Sequence, residues 1–260
     1  MFLQPLNRPV RNWRGMNIWV VGASSGIGAA LARAMLQQGA NVAVSARSAS
    51  VLESLFQSDA NAMVLPLDVN EQQAWKLAHE KMRARWGQVD MLVYCVADYV
   101  PERSWEMHPD RARRMVMTNL AAYYDALALL LPSMLQAGKG HLALIASVAG
   151  YVGLPKATVY GPTKAALINL AEILYNDLHQ LGINVFLINP GFIATRLTEK
   201  NDFAMPALLG PEQAAAAIMA GMERGEFEIH FPRRFTSWLK LIQLMPYRWR
   251  FALMQRLVTT

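Results

Sequence analysis

Ser147 and, thirteen residues later, the stretch Tyr160-Gly161-Pro162-Thr163-Lys164 carry the side chains best suited to moving a proton. A tyrosine and a lysine four residues apart share one helix face about a turn apart. The apolar positions Ala165, Leu167, Ile168, Leu170 and Ala171 predict such a helix, opening at Tyr160. Pro162 then falls in the first turn, where proline is tolerated. Free tyrosine titrates near a pKa of about 10, and an ammonium beside it favours the phenolate and lowers that value. Tyr160 is therefore a candidate general acid or base. Ser147 follows the apolar run His141 to Ala146, which reads as a buried strand. Its hydroxyl would emerge at the strand's carboxyl end, the edge at which open α/β sheets bind ligands. Tyrosine and lysine at this spacing also occur in helices with no chemistry, so the remaining elements decide the matter.

The first of these is Ile18-Trp19-Val20-Val21-Gly22-Ala23-Ser24-Ser25-Gly26-Ile27-Gly28, an apolar strand running into glycines and then a helical pattern from Ala29 to Gln37. Such a turn exposes backbone amides and a helix N-terminus to a pyrophosphate. Gln38-Gly39 reads as its C-cap. Further strands are predicted at Asn41 to Ser45, Met63 to Leu67, Val89 to Val93, Ile183 to Ile188 and Phe227 to His230. Helices fall between them at Glu71 to Trp86, Asp110 to Gln136, Tyr160 to Leu181 and Pro211 to Arg224. Strands alternating with helices imply an α/β, Rossmann-type doubly wound fold, with a mainly parallel sheet and helices on both faces. Residues 1–230 are expected to form a single dinucleotide-binding and catalytic domain, and residues 231–260 a basic amphipathic tail.

With the glycine turn, Ser147 and Tyr-x-x-x-Lys in place, residues 16 to 229 resemble the short-chain dehydrogenase/reductase family in its classical form. The resemblance implies that Tyr160 exchanges a proton with the substrate oxygen and that Ser147 hydrogen-bonds it. Lys164 would hold the nicotinamide ribose while lowering the tyrosine pKa. It implies that Asn119, in Met117-Thr118-Asn119-Leu120, positions a water for proton relay. Gly22, Ser24, Ser25, Gly26, Ile27 and Gly28 would cradle the cofactor, and Asp68-Val69 would lie against its adenine. Pro190, Gly191, Ile193 and Thr195 would lie beside its nicotinamide. The sequence departs from the family at Tyr94-Cys95-Val96-Ala97, where Asn-Asn-Ala-Gly is usual, and at Val21, where threonine is usual. Both changes read as replacing a polar link by an apolar one. The long helices around Asn119 and Tyr160 commonly form a subunit interface in the family, implying a homodimer or homotetramer.

Cofactor choice falls at the end of the second strand. An Asp there would bond the adenosine ribose and repel a 2′-phosphate, whereas arginine attracts that phosphate. Ala46 and Arg47 occupy these positions, favouring NADPH (NADP) over NAD, although Arg47 is also readable as a solvated surface charge. Asp68 could equally serve as a helix-start residue. Phe192 to Gly210 reads as a lid. Its Phe192, Leu197, Phe203, Met205 and Leu208, with Tyr151, Val152 and Leu154, suggest an apolar pocket. Arg196 and Lys200 leave room for an anionic group.

The single cysteine, Cys95, lies in an apolar strand, and the five histidines show no metal-binding spacing, so no metal is expected. The longest uncharged apolar run, Leu142 to Pro155, is shorter than the ~18 residues of a membrane span, and Met1 to Gly15 lacks the apolar core of a secretory signal. A cytoplasmic protein is expected. Up to Glu228 the chain holds 19 basic and 19 acidic residues; beyond it there is no acid, and Arg233, Arg234, Lys240, Arg248, Arg250 and Arg256 account for the net charge of +6. These alternate with Trp238, Leu239, Leu241, Ile242, Leu244, Met245, Trp249, Phe251, Leu253 and Leu257. Two readings stay open: peripheral contact with an anionic membrane, or an apolar face covering the pocket or a partner subunit. Nucleic acid is not expected. The sequence thus predicts reduction of a small hydrophobic ketone or aldehyde to the alcohol. The alternatives are an NAD(P)-dependent alcohol or steroid dehydrogenase working oxidatively, or a non-catalytic cofactor-sensing or membrane-associated protein.

Overall fold

The structure, a computed structural model, describes residues 4–201 and 205–259, with side chains as far as Met254. Its seven strands form one parallel sheet in the order β3-β2-β1-β4-β5-β6-β7. They are β1 Asn17–Val21, β2 Asn41–Ser45, β3 Ala62–Val64, β4 Met91–Tyr94, β5 Gly140–Ile145, β6 Ile183–Pro190 and β7 Glu228–Phe231. The helices are α1 Gly26–Gln37, α2 Ala49–Phe56, α3 Gln72–Trp86, α4 Pro109–Val116, α5 Ala122–Ala137, α6 Tyr160–Leu178, α7 Pro211–Arg224, α8 Arg233–Gln243 and α9 Tyr247–Thr259. This is a Rossmann-type α/β fold.

The strands are apolar on both sides because both faces are covered. In β1, Ile18 and Val20 pack with Leu31 and Met35 of α1 and Ile218 of α7, while Trp19 and Val21 face Trp75 of α3, Tyr123 of α5 and Leu167 of α6. On the second face Trp19, Trp75, Tyr94 and Tyr123 contact one another in series, at centroid distances of 5.1, 6.4 and 5.2 Å. The Trp19 indole also donates to Ser45 Oγ at 2.9 Å, so this buried N–H has a partner.

The strand order reverses between β1 and β4. Val21 pairs with Ser45 on one side and Tyr94 on the other, so the loops after these strands part and open a crevice. The third strand is shorter than expected, and Pro66 just beyond it places its missing N–H on the open edge of the sheet. Leu65 and Leu67 nonetheless donate to Val44 and Ala46 carbonyls at 3.0 and 2.9 Å.

The expected helix from Asp110 to Gln136 is two helices joined by a π-helical turn, Met117–Ala121, which holds Asn119. The whole run, Pro109–Ala137, is the one helix among the described residues long and apolar enough to cross a membrane. Its Tyr123, Ala126 and Leu130 are fully buried against the sheet, so part of that hydropathy is the face packed on the core.

Candidate active site

The carboxyl ends of β1, β2, β4, β5 and β6 open into a cavity of about 1310 Å3 that runs from the glycine turn to the C-terminal helices. At the turn, Gly22 has φ +96°, and a Cβ there would lie 2.8 Å from the Cys95 carbonyl carbon. At Gly28 a Cβ would lie 2.2 Å from the Gly22 carbonyl oxygen. Only hydrogen fits at either position, so the turn closes tightly and the start of α1 faces the cavity. The Ser25 side chain caps no amide of α1, and the first turn carries no acidic residue. Those amides form an anion cradle suited to a pyrophosphate.

Along the wall, Ser24, Ser25, Gly26 and Ile27 are followed by Ala46 and Arg47 from the end of β2, and by Asp68 and Val69 after β3. The Arg47 side chain is exposed at the rim. Asp68 Oδ1 accepts from the Asn70 amide at 3.0 Å, an Asx turn that fixes the carboxylate locally. From the end of β6 and the loop after it come Pro190, Gly191, Ile193 and Thr195. Thr195 closes onto the turn, since a Cβ on Gly26 would sit 2.9 Å from its Cγ2.

Ser147 caps a short 3₁₀ turn, Val148–Gly150, its Oγ accepting from Ala149 N–H at 3.1 Å. It lies near the Tyr160 phenol, on the same side of the site. Tyr160 is the first residue of α6, as expected, with Pro162 in the first turn. Lys164 is buried, and its Nζ lies 5.5 Å from the Tyr160 ring centroid while donating to the Ile145 carbonyl at 2.9 Å. Ser147, Tyr160 and Lys164 all line the cavity.

The electrostatics differ from the sequence expectation. Burial pushes the Tyr160 phenol up to about 12; the nearby Ser147 hydroxyl acts against that, and Tyr99 adds to it. Burial also lowers the Lys164 ammonium to about 8. In the chain alone, desolvation thus outweighs the attraction expected to lower the tyrosine pKa. The phenol is held protonated at neutral pH.

Asn119 is fully buried behind the wall rather than on it. Its Oδ1 accepts from Asp98 N–H at 2.6 Å, and its Nδ2 donates to the Asp98 carbonyl at 2.9 Å and Thr163 Oγ1 at 3.2 Å. It ties the loop after β4 to the first turn of α6. The departure at Tyr94 does not leave an apolar gap: the Tyr94 hydroxyl donates to the Thr118 carbonyl at 2.7 Å and anchors the π-helical turn beside Asn119. Cys95 packs under the glycine turn, its thiol pushed up by burial to about 12 and so inert.

Of the apolar residues expected in the pocket, Leu154, Phe192 and Leu197 line the cavity. Tyr151 and Val152 instead pack beneath α8, with Leu239 and Ile242. Met205 is off the wall, its sulfur accepting from Asn201 Nδ2 at 3.3 Å, and Leu208 is exposed beside Leu209, whose backbone bonds Phe192 and Ala194. Phe203 lies outside the described residues, as do the side chains of Arg256 and Leu257. Arg196 lines the cavity, whereas Lys200 is engaged with the Tyr99 carbonyl at 2.7 Å.

One contribution escaped the sequence reading, and another was only one of its open alternatives. Tyr99 stands edge-on to Tyr160 at a centroid distance of 4.9 Å, and its hydroxyl donates to Asn201 Oδ1 at 2.8 Å. Phe235 and Leu239 of α8 and Met254 of α9 form part of the cavity wall. The edge rule for parallel sheets points to the loop that holds Tyr99, but not to this residue. For the tail, the sequence left open an apolar face over the pocket, over a partner subunit or on a membrane, and Phe235, Leu239 and Met254 place one side of it on the pocket.

Residues 16–205 match the family model described as short chain dehydrogenase. An uncharacterized oxidoreductase of Myxococcus xanthus is 30% identical over 87% of this chain and 91% of the relative. One of Staphylococcus haemolyticus is 32% identical over 77% and 87%. The crystal structure of a short-chain dehydrogenase from Streptomyces avermitilis superposes with a TM-score of 0.79 over 94% of this chain and 98% of that one, at 23% identity, and so shares the fold. The chain belongs to the short-chain dehydrogenase/reductase family, oxidoreductases that work with a nicotinamide cofactor.

Proposed function

We propose that this protein is an NADPH-preferring reductase of small hydrophobic ketones or aldehydes. The observation that carries the reading is that Ser147, Tyr160 and Lys164 converge on one cavity, beside the apolar wall formed by Leu154, Phe192, Leu197 and Leu239. A proton donor is what carbonyl reduction needs, and the Tyr160 phenol is placed to be one.

The residues present fit the cofactor. The amides at the start of α1 would take the pyrophosphate, Asp68 and Val69 the adenosine, Arg47 the 2′-phosphate, Lys164 the nicotinamide ribose, and Pro190 to Thr195 the nicotinamide end. Ala46 supports the preference for NADPH, since no carboxylate stands there to repel a phosphate. When bound, the cofactor supplies the hydride. Ser147 hydrogen-bonds the carbonyl oxygen and Tyr160 delivers the proton to it. Lys164 holds positive charge near the tyrosine ring, and Asn119 acts as a positioning residue that fixes Asp98 and Thr163 around them. Leu154, Phe192, Leu197, Phe235 and Leu239 would exclude water from an apolar substrate.

Exposed Val116 and Met117 beside the π-helical turn, Tyr124 on α5 and Ile173 on α6 support a homo-oligomer through these helices. The reading is tested by following cofactor absorbance with a series of apolar ketones and aldehydes. Consumption of NADPH about tenfold faster than NADH at equal concentration supports it. Turnover with NADH alone, or oxidation of alcohols without reduction of any carbonyl, contradicts it.

A further inference from the structure

Helix α8 has two different faces, and the exposed start of α9 continues the outer one. Inward, Phe235, Leu239 and Met254 wall the cavity, and Ile242 packs with Val148 and Val152. Outward, Trp238, Leu241, Leu244, Tyr247, Trp249 and Phe251 are all more than half exposed, from 57% to 82%. On α8 the spacing from Arg234 to Trp238 to Leu241 puts these three on one stripe. The other exposed large apolar residues are spread from Leu6 to Leu208, whereas these six fall within fourteen consecutive positions. An exposed apolar group of this density is the mark of a contact surface.

The charges say which kind. Arg233 bonds Glu226 and Lys240 bonds Glu228, so those two are engaged with the body of the protein. Arg250 donates to the Gln243 and Met245 carbonyls, closing the α8–α9 corner, and lies 4.8 Å from the Tyr247 ring centroid. Arg234 and Arg248 remain exposed among the tryptophans and leucines. No acidic residue occurs after Glu228. A two-fold contact with a second copy would set this basic, acid-free surface against itself. An anionic bilayer complements it, with aromatic rings at headgroup depth and guanidinium groups against phosphates.

We propose that the outer face of α8 and α9 docks the protein on an anionic membrane surface. On α8 the cavity wall and the docking face are then different sides of one helix, which would bring an apolar substrate dissolved in the bilayer close to the site. The docking itself stands on the outer face alone and is independent of the proposed reaction.

The test is co-sedimentation of the full chain with phosphatidylcholine vesicles, with and without roughly one-third phosphatidylglycerol, at about 0.15 M salt. The expected result is binding to the anionic vesicles at least about tenfold tighter than to the neutral ones. Two paired variants, Trp238→Ser with Leu244→Ser and Arg234→Glu with Arg248→Glu, should each weaken it by about tenfold or more while dinucleotide affinity and melting temperature stay unchanged. Absence of binding to anionic vesicles overturns the proposal. So does unchanged binding in both variants. If the apolar pair instead dissociates an oligomer in sedimentation equilibrium, the face is a contact between copies and the proposal is wrong.

Discussion

Lys164 Nζ sits 5.5 Å from the centroid of the Tyr160 ring, and its hydrogen bond runs to the Ile145 carbonyl. The ammonium is therefore held by the end of β5, below the cavity edge, and acts on the tyrosine through space. Lys164→Met keeps the length of the stem but removes the charge and that bond. Turnover is expected to fall by about a hundredfold or more, with weaker cofactor binding as well, since the ribose loses a donor. Calorimetry and steady-state rates on the same preparation check both effects; an unchanged cofactor affinity would remove Lys164 from the ribose site.

The pH dependence follows from the same pair. Below about pH 8 the Lys164 amine is protonated, and above it the charge is lost, because burial has lowered it to about 8. Tyr160, pushed up to about 12, keeps its proton through this range. Reduction at saturating cofactor is expected to be level up to about pH 8 and to decline above it. A rate that climbs from neutrality to pH 10 would mean that the phenolate, not the phenol, is the working form.

Asn119 closes three hydrogen bonds inside the protein, two of them to Asp98. Asn119→Ala leaves buried backbone groups without partners, which costs about 1–3 kcal/mol of stability. Activity should fall while the Tyr160 phenol remains in place, since it reacts through geometry and not through contact with Asn119. Urea unfolding beside a rate profile separates the two effects. Unchanged stability would show that water replaces the amide without loss.

Gly28→Ala places a methyl 2.2 Å from the Gly22 carbonyl oxygen. The turn must open, which costs about 1–3 kcal/mol or more, and dinucleotide binding should weaken with it. Gly153→Ala, whose Cβ meets nothing within 4 Å, serves as the control and should be near neutral. Equal behaviour of the two would mean that the glycine turn does not shape the cofactor site.

Ala46→Asp puts a carboxylate beside the expected 2′-phosphate. NADPH affinity should drop by about tenfold or more, roughly 1.4 kcal/mol, with NADH affinity held or improved. Parallel calorimetric titrations of both dinucleotides decide it. Unchanged relative affinities would return Arg47 to the role of a solvated surface charge.

Much of this fold was legible because local signals and burial agree. Pro at the first position and Gly just beyond the end bracket α7, and its boundaries, Pro211 and Arg224, are those the sequence implied. Tyr160 opens α6 because Pro162 permits only a first-turn position. What was not legible lies in long-range contacts. The π-helical turn at Asn119 leaves no mark on a helical apolar pattern that continues through it. Tyr94 read as the loss of a polar link, since its hydroxyl finds the Thr118 carbonyl only once α4 and α5 are folded over β4. Tyr151 and Val152 looked like pocket residues but lie under α8, whose position depends on packing that residue periodicity does not encode. The tyrosine pKa was misjudged for a similar reason: spacing showed the lysine charge but not the depth of burial that opposes it.

The central claim is that Tyr160 donates the proton to a carbonyl oxygen. Tyr160→Phe keeps the ring, and with it the contacts to Tyr99 and Lys164, but removes the hydroxyl. The measurement is turnover of an apolar carbonyl with NADPH, taken together with NADPH affinity, in this variant and the native protein. Loss of turnover by about 10²–10⁴-fold with nearly unchanged NADPH binding is the expected result. Turnover retained within a few-fold would contradict the account.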